Sequence, residues 1–193
     1  MNEFAGRALS ITPADSDDDR RVLRDLLARH IDDIADTAIP KLSDDHYYNP
    51  LILQAQNATG DTIGGALTCR PPIAVAAHTG SLSGLPPLGY ESVLDKVSFL
   101  DLMAVDTPYR RKGIGRRLIN EMETRLARRG TRIWVGSVTD EENHRAVAAF
   151  YSDCGFTVLQ PGQPLPPFLG KDWMMPMQQA PVFWFYKRVI AQP

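Results

Sequence analysis
Hydrophobic positions in this chain switch between two spacings, and the switches mark out its elements. Residues 8–12 read as a short opening strand. After Pro13 and Ala14, residues 15–29 place Val22, Leu23, Leu26 and Leu27 at helical intervals, which predicts an amphipathic helix with those four inward. A second helical piece over 31–38 stops before Pro40, since a proline disfavours helical backbone in the residue ahead of it. Residues 44–48 lead into the next strand. The apolar runs 51–56 and 62–69 bracket Asn57-Ala58-Thr59-Gly60-Asp61, the pattern of a hairpin. Further on, residues 97–105, with Phe99, Leu100, Leu102, Met103 and Ala104, predict a buried strand. Ile114, Leu118, Met122 and Leu126 then recur every four residues along one helix face. A strand over 131–138, a helix over 141–154, a short strand over 157–159 and a final strand over 182–189 complete the series.

Two stretches break this rhythm. Residues 70–96 carry Pro71-Pro72, Pro86-Pro87 and several glycines, long for a simple connection, with a short helix expected near 90–94. Residues 161–181 hold six prolines together with Trp173, Met174, Met175 and Met177, which suits a lid over a substrate, a cover for the core or a homodimer contact. No repeat or domain-sized linker is present, so a single domain over 1–193 is expected.

The chemistry points to residues 106–118, where the strand passes into the helix through a basic turn bearing glycine. The first turn of a helix presents N–H groups without partners and a partial positive charge, so an anion docks there, helped by Arg111, Lys112 and Arg116. Gly113 and Gly115 lack a Cβ and admit phosphate oxygens to the main chain around Ile114. The third glycine of a Rossmann fingerprint is missing, as is the Gly-Lys-Ser/Thr ending of a P-loop.

As a whole, Arg110-x-x-Gly113-x-Gly115 resembles the Arg/Gln-x-x-Gly-x-Gly/Ala motif that binds acyl-coenzyme A in the GNAT superfamily of N-acetyltransferases. Downstream, Tyr151-Ser152-Asp153-Cys154-Gly155-Phe156 is similar to that family's Tyr-x-x-x-Gly-Phe signature, and the matching segments cover residues 97–159. The resemblance implies an α/β (α+β) fold: a mixed, mostly antiparallel sheet of about six to seven strands, with a splayed parallel pair and flanking helices. It also implies acetyl-coenzyme A as co-substrate, with the pantetheine arm pairing to the main chain at Met103, Ala104 and Val105. Tyr151 would protonate the departing thiolate, its alternative being a core aromatic with a hydrogen-bonded hydroxyl. The family's usual asparagine, seven residues before the tyrosine, is replaced here by His144. Asn143, one place earlier, would meet the coenzyme arm or cap the helix. For the general base, Asp101 shares a side of its strand with Phe99 and Met103, against the alternative of a buried, hydrogen-bonded structural carboxylate. Glu91 and His78 are further candidates.

The formal net charge is −2, but residues 15–45 hold ten Asp against five Arg and Lys, which reads as a solvated helix face or as an acidic rim for a cationic amine. Residues 106–132 hold nine Arg and Lys against three acids; Arg125, Arg128, Arg129 and Arg132 read as a solvated surface without interleaved aromatics, so no nucleic-acid partner is expected. No apolar run is long enough to span a bilayer and no signal pattern opens the chain, so neither a membrane nor an exported location is expected, and the protein is read as cytoplasmic. Cys69 and Cys154 are too sparse for a disulfide framework, and the four histidines lack ligand spacing, so no metal is expected. The expected activity is direct acetyl transfer to a small-molecule amine or a protein amino group. The alternative is a non-catalytic acyl-coenzyme A binding or sensing domain.

Overall fold
The computed structural model describes residues 9–32, 34–78, 93, 95–139, 142–171, 173 and 180–190, with only the backbone of 77 and 78. Its seven strands are β1 (Ser10–Pro13), β2 (Leu51–Gln56), β3 (Thr62–Cys69), β4 (Val97–Val105), β5 (Ile133–Val138), β6 (Thr157–Val158) and β7 (Phe183–Arg188). Among the described residues five helices accompany them: α1 (Asp17–Ala28), α2 (Asp45–Tyr48), α3 (Pro72–His78), α4 (Ile114–Arg128) and α5 (His144–Asp153). The strands form one mixed sheet in the order β1-β2-β3-β4-β5-β7-β6, with β4 and β5 as its parallel pair. The residues divide into two compact units, Met1–His46 with Pro50–Thr68 and Leu102–Glu123, and Tyr47–Asn49 with Cys69–Asp101 and Thr124–Pro193.

In the first unit, β1 pairs with β2 and β2 with β3, all antiparallel, as the predicted hairpin requires. The hairpin tip closes on Asn57, whose Oδ1 accepts from the amides of Thr59 and Asp61 at 3.0 and 2.9 Å. α1 starts at Ser16, whose hydroxyl accepts from the Asp19 amide at 3.0 Å, and Asp17, Asp18 and Asp19 complement the helix dipole. Leu23, Leu26 and Leu27 face inward as predicted, but Val22 is 46% exposed and Arg20 takes the fourth buried place. The helical stripe through 23 and 27 runs back through 20, which leaves Val22 to one side. Arg20 is satisfied there by Ala14 and Pro40 carbonyls at 3.2 and 2.9 Å and by both oxygens of Asp45 at 2.7 and 2.8 Å. α1 packs so closely on the hairpin that a Cβ at Gly65 would lie 2.8 Å from the Leu53 carbonyl and against Leu23.

The helix expected over 31–38 does not form; its described residues are turns, bends and irregular backbone. Eight residues with two half-buried isoleucines cannot repay helix nucleation, and Asp36 instead meets Arg24 at 3.0 Å. Residues expected to lead into β2 coil into a 3₁₀ turn, Leu42–Asp44, and then α2.

In the second unit, β5 is the central strand, parallel to β4 on one side and antiparallel to β7 on the other. Val97, Phe99, Ile133 and Val135 form its core with Ala74, Phe168 and Trp173. α3 was not anticipated; Pro72 fits its first turn because no helical acceptor is needed there. The helix expected near 90–94 falls largely outside the described residues. Within the stretch 161–181, Phe168 and Trp173 are core residues, and the Trp173 indole donates to the Phe168 carbonyl at 2.9 Å. Met174, Met175 and Met177 lie outside the described residues.

Candidate functional site
The turn after β4 is built by an alternation of backbone handedness. Residues Thr107–Tyr109 make one 3₁₀ turn, Arg110 is extended, and Arg111 and Gly113 are left-handed with φ of +62° and +80°. A non-glycine residue in that region is uncommon and marks a constrained backbone. α4 then begins, and its first α-type bond runs from the Arg117 amide to the Gly113 carbonyl at 3.0 Å. The amides of Gly113, Ile114 and Gly115 donate to no protein acceptor among the described residues. Space above Gly113 is open, since nothing lies within 4 Å of where its Cβ would stand. Arg111, Lys112 and Arg116, next to these amides in the chain, are all exposed, and Lys112 stands 5.4 Å from the centre of the Tyr109 ring. Unsatisfied donors, the positive end of the α4 dipole and three cationic side chains together favour a multiply charged anion. Ile114 itself is buried, and with Leu118, Met122 and Leu126 it anchors the helix as its spacing predicted.

Arg110, expected beside the anion, bonds to the protein itself. Its Nε donates to the Val105 carbonyl at 2.8 Å, closing the 3₁₀ turn, and its guanidinium reaches His30 Nδ1 at 3.0 Å. The other imidazole nitrogen of His30 lies 2.7 Å from Asp106, which also accepts from Arg29 at 3.2 Å. Burial would raise the Asp106 carboxyl, but the hydrogen bonds from His30 and Arg29 and the charge of Arg29 outweigh it and hold the group below its ordinary value.

β4 pairs with β5 from Val97–Ile133 to Leu100–Gly136 and no further, although β4 itself continues to Val105. Asp101, Met103, Ala104 and Val105 therefore lie beyond the last rung of the parallel ladder. On the β3 side the chain approaches closely, because a Cβ on Gly64 would sit 3.1 Å from the Ala104 carbonyl. Asp101 is an exposed residue, and its carboxylate has no hydrogen bond or ion pair among the described residues. Protein nevertheless crowds it enough on its inner side for desolvation to raise its pKa to about 6. Cys69 is buried, and burial, with the charge of Asp101, pushes its thiol well above the ordinary range. Cys154 is buried as well.

Tyr151 lies on α5 with 8% of its surface exposed, stacked on Phe185 at 3.8 Å between ring centres and edge-on to Phe156 at 5.5 Å. Its ring is a core aromatic, yet its hydroxyl has no hydrogen-bond partner among the described residues. Burial keeps the phenol protonated far above neutrality. Asn143 occupies the N-cap position of α5 without a capping hydrogen bond from its side chain, and the helix begins at His144, later than predicted. Glu91 and the His78 side chain lie outside the described residues. The spacing-based reading missed His30 and Asp106, and no local pattern marks a pair 76 positions apart.

A sequence model of the acetyltransferase (GNAT) family matches residues 41–156. No curated protein sequence matches the chain. Among solved structures, a GNAT-family acetyltransferase from Staphylococcus aureus Mu50 aligns with a TM-score of 0.63 at 18% identity, over 95% of this chain and 100% of that one. The ribosomal-protein-S18-alanine N-acetyltransferase of Escherichia coli gives 0.58 at 18% identity, over 94% of each chain. The Escherichia coli N-acetyltransferase YhbS, in complex with coenzyme A, gives 0.60 at 19% identity, over 94% of this chain and 82% of that one. At such identities the likeness is one of fold.

Proposed function
The chain belongs to the acetyltransferase (GNAT) family, and on that premise we propose that it moves an acetyl group from acetyl-coenzyme A directly to an amine. The observation that carries this is the turn at 111–116, where the amides of Gly113, Ile114 and Gly115 have no acceptor among the described residues and the exposed Arg111, Lys112 and Arg116 are their neighbours in the chain. A diphosphate matches that donor set in charge and in number of acceptors. Solved neighbours of the same fold carry coenzyme A, which supports the choice of anion.

Bound there, acetyl-coenzyme A supplies the acyl group as a thioester. The main chain at Met103, Ala104 and Val105, past the end of the β4–β5 ladder, offers N–H and C=O groups to the pantetheine amides, with Asn143 as a further polar contact. A main-chain N–H at this strand end would hold the oxyanion that develops as the amine nitrogen attacks the carbonyl carbon. Asp101, open to solvent and raised to about 6, accepts the proton the amine gives up. Tyr151, protonated throughout the working range, donates to the sulfur as the C–S bond breaks. Both thiols are buried, which favours direct attack over an acyl-cysteine intermediate. The acceptor is a small-molecule amine or a protein amino group.

Titration calorimetry with acetyl-coenzyme A tests the cradle. The wild type is expected to bind, and Gly115→Asp, which adds an anion beside the amides, to bind at least about tenfold more weakly. No heat from the wild type would refute the reading. Binding without thiol release from any of a panel of amines would instead place the chain among non-catalytic acyl-coenzyme A binding domains.

A further inference from the structure
The arginine that opens the glycine motif bonds to a main-chain carbonyl and to a histidine from a distant part of the chain. Arg110 has donors only, and so has nothing to offer a lone pair but an N–H; His30 Nδ1, 3.0 Å away, must therefore be the unprotonated nitrogen. Asp106, as a carboxylate, only accepts, so the proton of the neutral ring sits on Nε2, 2.7 Å from Asp106. Arg29 holds the same carboxylate at 3.2 Å from each oxygen. Asp106 opens the turn, its amide donating to the Ile63 carbonyl at 2.9 Å, and Arg110 closes it on the Val105 carbonyl at 2.8 Å. A single imidazole thus joins the two residues that flank the 3₁₀ turn ahead of left-handed Arg111.

We infer that His30 is a positioning residue for coenzyme binding, bridging Asp106 and Arg110 so that the turn at 111–116 is already shaped for a diphosphate before it arrives. Arg110 acts through this bridge and not as a ligand of the phosphates. The inference rests on the reading of that turn as the diphosphate cradle. Neither His30 nor Asp106 belongs to the glycine motif, and the Nε2–H tautomer is the only neutral form that serves both neighbours. Preorganisation of this kind strengthens binding by removing the ordering cost from the binding step.

The test is a set of dissociation constants for coenzyme A, measured by calorimetry at mildly alkaline pH. His30→Ala is expected to weaken binding by roughly tenfold, the part of two lost charge-assisted hydrogen bonds that reaches the binding step. His30→Gln, whose amide can accept from Arg110 and donate to Asp106, is expected to restore it to within about twofold. Once Arg110→Ala is made, adding His30→Ala is expected to cost little more, since both changes cut the same bridge. Equal affinity in wild type and His30→Ala overturns the inference while leaving the diphosphate cradle intact. His30→Gln binding as weakly as His30→Ala, or fully additive losses in the double variant, overturns it too. Should the alanine variant not fold, imidazole nitrogen NMR of the wild type decides: a protonated Nδ1 in the neutral ring overturns the bridge. A wild type that binds no coenzyme A sinks the cradle and this inference together.

Discussion

Asp101→Asn removes a charge that the fold holds at a disadvantage, and its consequence for stability can be worked out before any acceptor is known. Desolvation raises the carboxyl from its ordinary value of 3.8 to about 6, with no hydrogen bond among the described residues to offset it. The folded state therefore holds its proton more tightly than the unfolded chain, and folding takes up a proton between those two values. Below about pH 4 both states are protonated and the group costs nothing; the cost grows as pH rises towards about 6 and is complete above it. At 1.36 kcal/mol per unit the whole displacement would correspond to roughly 3 kcal/mol, but the side chain faces water on one side and screening leaves about 1 kcal/mol. Asparagine keeps the shape without the charge. The variant is expected to melt about 3 °C higher at neutral pH, with the gain closing by about pH 4. Acyl transfer at neutral pH is expected to fall at least about a hundredfold, and the wild-type rate to decline tenfold per pH unit below about 6. Calorimetric melting across this range reads the first effect, and thiol release with an accepted amine reads the second. An asparagine variant no more stable than the wild type at neutral pH refutes the desolvated carboxylate, and undiminished transfer refutes its role as base.

Three further outcomes follow from the packing. Tyr151→Phe keeps the stack on Phe185 and is expected to lower turnover by about a hundredfold with little change in coenzyme affinity; full turnover at every pH would rule out the general acid. Gly136→Ala would set a Cβ 2.6 Å from Phe185 Cε2. The displaced ring should cost about 1–3 kcal/mol, read as a lower urea midpoint, and an unmoved midpoint would contradict the packing. Arg20→Ala strips the buried guanidinium from two carbonyls and from Asp45, and a loss of about 3 kcal/mol is expected by chemical denaturation; less than about 1 kcal/mol would mean water replaces it.

What could be read without coordinates was whatever a short window encodes. The hairpin strands Leu51–Gln56 and Thr62–Cys69, the strand Val97–Val105 and the buried stripe of α4 appear at the predicted residues, because alternation and helical period are properties of neighbours along the chain. So is the glycine-bearing turn, whose left-handed Gly113 lies where the motif put it. Local spacing failed where a partner from far away set the outcome. Arg20 outcompeted Val22 for the inside of α1 because Pro40 and Asp45 supply its hydrogen bonds. Residues 31–38 had a helical pattern but too little apolar surface to hold a helix. Whether Asp101 would find a hydrogen-bond partner was equally illegible; among the described residues it has none. Arg110 stood in the phosphate motif, yet His30, 80 positions away, claims its guanidinium. Patterns of burial are written in a few consecutive residues, whereas the partner of each charged side chain is chosen by chain segments that only folding brings together.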